Sequence, residues 1–113
     1  MSTVRFERAV ARSAADAGAS LAIESHHATA WHSATFSGDR HELVVNATPG
    51  AALEAWTADL AALDLPLPGH LLADLRVAAR QSSGGRVTLR IVGVTVACEV
   101  SSARGCGAAC ARG

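Results

Sequence analysis

The side chains with most to offer chemically are the histidines His26, His27, His32, His41 and His70 and the cysteines Cys98, Cys106 and Cys110. Neighbours in an extended segment project to opposite faces, so His26 and His27 cannot share a metal without a bend. His32 and His41 flank Gly38 and can approach each other across a hairpin. Two imidazoles near Trp31, titrating close to neutral pH, can hold an anion or move a proton. The competing reading is a pair of partly exposed strand histidines with no perturbing partner, and it is the favoured one.

Three thiolates and a histidine suit zinc or copper(I). Here, however, the gaps between cysteines hold seven and three residues, with no tight C-x-x-C pair, so no metal site is expected. Gly105-Cys106-Gly107-Ala108-Ala109-Cys110 begins like a dinucleotide-binding loop. Cysteine replaces its third glycine, and only three residues follow, too few for the helix that would face a pyrophosphate. No cofactor is expected. Neither a G-x-S-x-G elbow nor a cysteine–histidine signature fixes a nucleophile, so no catalytic residue is assigned and the chain reads more as a binding domain than as an enzyme, a small hydrolase or isomerase using His32 or His41 being the alternative.

The ten basic residues are all arginine. Arg76, Arg80 and Arg90 are expected on the outer face of a second hairpin, where guanidinium groups can bind phosphates. That face lacks the aromatic platforms of nucleic-acid-binding sheets, and Asp74 neutralises part of it. A small anionic ligand is therefore an alternative, and nucleic acid is disfavoured. With Val92 nearby, the same uncovered face suits a subunit interface, and a homodimer is the leading expectation.

Positioning these groups requires helices and strands. Phe6, Val10, Ala14 and Ala17 make one helical stripe, stopped by Gly18. Leu21 and Ile23 open a strand, and Trp31–Phe36 and His41–Ala47 flank a turn expected at Ser37-Gly38-Asp39-Arg40. Thr48-Pro49 reads as a helix start, followed by Leu53, Trp56, Leu60 and Leu63 at helical spacing. Leu65-Pro66-Leu67-Pro68-Gly69 ends that helix. Leu71, Ala73, Leu75, Val77 and Ala79 then alternate as the inner face of a strand, Gln81–Gly85 is a hairpin loop, and Val87, Leu89 and Ile91 return. Gly93 suggests a bulge that switches the face, in a strand ending near Val100.

The expected fold is α+β, a two-layer sandwich of order αββαββ with both helices on one face of an antiparallel sheet. A shift of 46 residues lays Phe6 on Ala52, Val10 on Trp56, Gly38 on Gly84 and Arg40 on Arg86, an internal repeat of pattern. Residues 1–100 make one domain, and 101–113 read as a flexible tail.

At 113 residues, half of them apolar, the chain supports one core. Residues 1–70 carry four arginines against eight acids and residues 71–113 six against two, an asymmetry that can steer association. No apolar run reaches the roughly 20 residues of a membrane span. Charges at Arg5, Glu7, Arg8 and Arg12 break up any signal-peptide core, and the cysteines are odd in number and late, so a cytoplasmic location is expected.

Trp31-His32-Ser33-Ala34-Thr35-Phe36-Ser37-Gly38-Asp39-Arg40-His41 and Leu67-Pro68-Gly69-His70-Leu71-Leu72-Ala73-Asp74 resemble a family of small uncharacterised bacterial proteins. The resemblance spans roughly residues 5–97 and leaves the cysteine-bearing tail outside. It implies no mechanism, but it singles out Trp31, Arg40, His41 and His70. With His32, Arg76, Arg80 and Arg90 these are the candidate contact residues of a self-associating domain.

Overall fold

The computed structural model describes residues 3–97 apart from 64 and 66. Along these the chain runs α1 (Thr3–Asp16), β1 (Leu21–His32), β2 (Ser37–Ala47), α2 (Ala51–Ala58), a 3-10 turn (Leu60–Ala62), β3 (His70–Ser83) and β4 (Arg86–Ala97). The chain is α+β, with a four-stranded antiparallel sheet in the order β1-β2-β4-β3. The short 3-10 turn lies between α2 and β3. No helix among the described residues is long and apolar enough to cross a membrane. Cys98, Cys106, Cys110, the end of the last expected strand at Val100 and the 101–113 segment lie outside the described residues.

α1 buries Phe6, Ala9, Val10 and Ala14. Ala17 falls beyond the helix and is exposed, because Gly18, at φ 89°, already turns the chain. The Ala19 N–H returns to the Ala14 carbonyl at 2.8 Å, closing the helix end. α2 starts two residues later than Thr48-Pro49 suggests, with Gly50 preceding its first turn and no side-chain cap. The reason is that Ala47 still pairs with Leu21 and Val87, so Thr48 and Pro49 are used in leaving the sheet.

Both hairpin turns differ from expectation. Gly38 lies within β2, and the first turn is closed by Ser33, whose Oγ accepts the Phe36 N–H at 3.0 Å and donates to the Phe36 carbonyl at 3.1 Å. Gly38 has a packing role instead, since a Cβ there would overlap the Thr95 carbonyl and lie 2.9 Å from Trp31 Cζ2. The second turn is just Gly84-Gly85, with φ 58° and 76°, the two positive values of the type I′ turn that matches strand twist.

Gly93 is not a bulge; it pairs in unbroken register with His41 and Leu75. The register instead shifts between Ile23 and Ser25 on β1, and between Leu72 and Asp74 and between Val77 and Ala79 on β3. Glu24, Ala73 and Ala78 are the extra residues. Each reverses which side chains face inward, so the simple alternation expected of β3 holds only for Leu75 and Val77. The inner face then reads in rungs across the strands: Ile23, Val45 and Leu89; His26, Leu43, Ile91 and Val77; His41, Gly93 and Leu75. Phe6, Val10, Leu53, Trp56 and Leu60 join these in one core, and the Trp56 indole N–H donates to Ser13 Oγ at 3.0 Å.

Candidate functional site

Two places in this fold gather side chains that a core alone does not require. The first lies under α1. His41 is completely buried and stacks on the Phe6 ring, centroids 4.1 Å apart and planes 10° from parallel. Its Nδ1 is 2.8 Å from His26 Nε2, and His26 Nδ1 is 2.8 Å from Glu7 Oε2. The Glu24 bulge is what turns His26 inward and leaves His27 outside. Gly93 provides the room: a Cβ there would sit 2.5 Å from Phe6 Cζ and 3.2 Å from Leu75 Cδ1. Burial pushes the His41 imidazole down to about 4, helped by His26 and opposed by Asp39. Its Nε2 is buried without a hydrogen-bond partner among the described residues.

The second place is the outer face of the sheet, whose rungs follow from the same registers. Trp31, Gly38, Val96 and Leu71 form one. Thr29, Arg40, Val94 and Asp74 form the next, then His27, Glu42, Val92 and Arg76, then Ser25, Val44, Arg90 and Ala79. Val92 is only 2% exposed yet lies outside the core cluster. A valine stripe thus runs along β4 with charged side chains on both sides. Glu42 accepts from Arg40 and, at 3.0 Å, from Arg90, and these hydrogen bonds, Arg40 first, hold its carboxyl below the usual range. Arg76 Nε pairs with Asp74 at 3.2 Å. The indole N–H of Trp31 is buried without a partner among the described residues.

These positions revise the sequence-based candidates. His41 does not meet His32 across the hairpin: His32 pairs with Ser37 at the exposed tip, while His41 sits opposite Ala28 and faces the core. His41 is therefore no surface contact. His70, at the start of β3, has Nδ1 3.4 Å from the Pro68 carbonyl. Arg76 and Arg90 do share the outer face with Arg40. Arg80 does not, because the Ala78 bulge turns it inward opposite Leu89, where it grips Glu54 of α2 through both carboxylate oxygens. That pairing raises the Arg80 guanidinium and lowers the Glu54 carboxyl. Sequence reasoning missed Glu7 and Phe6 as partners of a histidine pair, and no periodicity announces the bulge that brings His26 to them.

A hollow of about 520 Å³ opens on the outer face beside Arg90, Glu42 and His27. No group of three or more His, Cys, Asp or Glu side chains suited to a metal ion occurs among the described residues. Comparison of the chain with protein-family models, with curated proteins and with solved structures finds no match.

Proposed function

We propose that this protein is a small interaction domain that self-associates as a homodimer through the outer face of its sheet, in a cytoplasmic setting. The observation that carries the reading is the order of charges about the valine stripe. Along one rung Arg40 and Asp74 flank Val94; along the next Glu42 and Arg76 flank Val92.

Consider a second copy set face to face, about a two-fold axis lying between the sheets and parallel to β4. The β2 side of one copy then covers the β3 side of the other at the same rung. Arg40 meets Asp74 of the partner subunit, Glu42 meets Arg76 of the partner subunit, and each valine meets its own counterpart. Leu71 comes over Gly38 of the partner subunit, the position beside Trp31 where no side chain stands. A two-fold interface requires such self-complementarity, with each contact occurring twice. The fold reading that accompanies it is two αββ units sharing one sheet with both helices on the opposite face, supported by Phe6 and Trp56 entering the same core.

The alternative, an anion or nucleic-acid site on Arg76, Arg80 and Arg90, draws less support. Each of these guanidinium groups is paired with a carboxylate of its own chain, and an anion must compete with that partner.

Sedimentation equilibrium with reducing agent tests the proposal. The protein is expected to be a dimer, and Val94→Asp, which places a carboxylate against its own copy, a monomer. Glu42→Arg and Arg76→Glu should each weaken association, and the double swap should restore much of it. A monomeric wild type, or single and double swaps that associate equally, would sink the reading.

A further inference from the structure

We propose that Glu7, His26 and His41 form an acid-sensitive latch that fastens α1 to the sheet at neutral pH and releases it when the histidine pair takes up one proton. The inference is independent of association through the outer face.

The two rings offer four nitrogens for a small number of hydrogens. An ionised Glu7 only accepts, so the contact at His26 Nδ1 requires an N–H there. One hydrogen lies between His26 Nε2 and His41 Nδ1, 2.8 Å apart. With both rings neutral only two hydrogens are available, and these two contacts use them. His26 Nε2 is then the acceptor, His41 Nδ1 the donor, and His41 Nε2 a bare nitrogen. Buried without a partner, it is best left in that form.

A third hydrogen has only one vacant nitrogen to occupy. Whichever ring carries the formal charge, both existing contacts remain filled and the added N–H stands on His41 Nε2. That donor is buried with no acceptor, in a ring sandwiched against Phe6. Leaving a buried donor unmade carries its full desolvation penalty, and a charged pair raises it further.

The groups that face His41 act unequally. Asp39, on its own strand, favours the charged ring, whereas His26 of β1 and His70 of β3 oppose it. Asp39 does not reverse the balance. Reversing the bond between the rings, so that His26 Nε2 donates to His41 Nδ1, still leaves the extra hydrogen on His41 Nε2.

Relief comes from exposing the ring. The covering over His41 is Phe6, and Phe6 and Glu7 are neighbours on α1, so the hydrogen-bond chain and the lid belong to one helix. The four strands are held by backbone ladders, whereas no backbone hydrogen bond among the described residues ties α1 to the sheet. The helix is therefore the element that lets go.

Amide hydrogen exchange on the full chain, corrected for the intrinsic pH dependence, tests this. Between pH 7 and pH 5, protection in α1 should fall about 20-fold, the ratio set by an imidazole that titrates at about 6.5 when free and about 4 when enclosed. The amides of β2 and β4 should retain their protection at pH 5. Uniform loss across helix and sheet, or no change in α1, would overturn the proposal. His41→Gln, which cannot titrate, should abolish the pH step in α1. Should that variant not fold, nitrogen-15 spectra of the wild-type imidazoles decide: His41 must carry its hydrogen on Nδ1 at pH 7, and a hydrogen on Nε2 would refute the latch.

Discussion

A single methyl group at position 93 would collide with two core side chains, Phe6 and Leu75. Gly93→Ala should therefore lower stability by roughly 1–3 kcal/mol, the range for overpacking a filled core, read as a reduced urea midpoint at unchanged slope. The effect should also loosen the Phe6–His41 stack, visible as altered ring shifts. His41 contributes through its titration as well. Its folded value lies below the unfolded one, so the stability it supplies is complete above about pH 6.5 and is lost as pH falls toward about 4. The full loss is about 3 kcal/mol, measurable as a pH profile of unfolding free energy. At this scale the sequence was partly legible. The histidines are evident chemical actors, and Arg76 and Arg90 stand on the outer face as expected, whereas Arg80, expected beside them, turns inward to Glu54. Glu7 as a partner was not, because three residues from α1, β1 and β2 meet only after a bulge has reset the side-chain alternation of β1.

At the scale of elements, the contact between helices hinges on one polar bond. Trp56 donates to Ser13 Oγ, and Ser13→Ala leaves that indole N–H without its partner. A loss of about 1–2 kcal/mol is expected in chemical denaturation. The Gly84-Gly85 turn has a stricter requirement, since both φ values are positive. Gly85→Ala should destabilise the second hairpin by about 1 kcal/mol, with exchange at the ends of β3 and β4 rising before that in β1. Periodicity located two helices and four strands, but residues 33–36, read as strand, form the first turn, and Leu60 and Leu63, read as helix, lie beyond the end of α2. Turn placement failed at Gly38, because a glycine can serve close packing as well as reversal. Strict alternation failed along β3, where Ala73 and Ala78 are unexceptional residues that become bulges through the pairing of strands distant in sequence. Local pattern holds no record of that pairing.

For the whole molecule, formal charge is balanced at +0 with histidines neutral, and the outer face repeats that balance locally. Glu42→Gln with Asp74→Asn would leave Arg40, Arg76 and Arg90 without their carboxylates. The double variant should gain salt-sensitive retention on a heparin column, while the wild type elutes at low ionic strength. Equal retention of both would show that the arginines are not masked by their partners. The α+β class was legible from the order of periodic segments. The grouping of charges into complementary rungs was not, because it depends on the register between β2, β4 and β3.

The placement of the bulges bears on a different hazard. All three lie on β1 and β3, the two strands with an unpaired side, and the central pair has none. Strands of 12 and 14 residues with regular open edges would be templates for another chain to add on, and then another, without limit. One kink in β1 and two in β3 shorten the straight run of matching donors and acceptors open to an incoming strand. The irregularities that aim His26 inward and Arg80 toward α2 therefore also discourage growth into fibres.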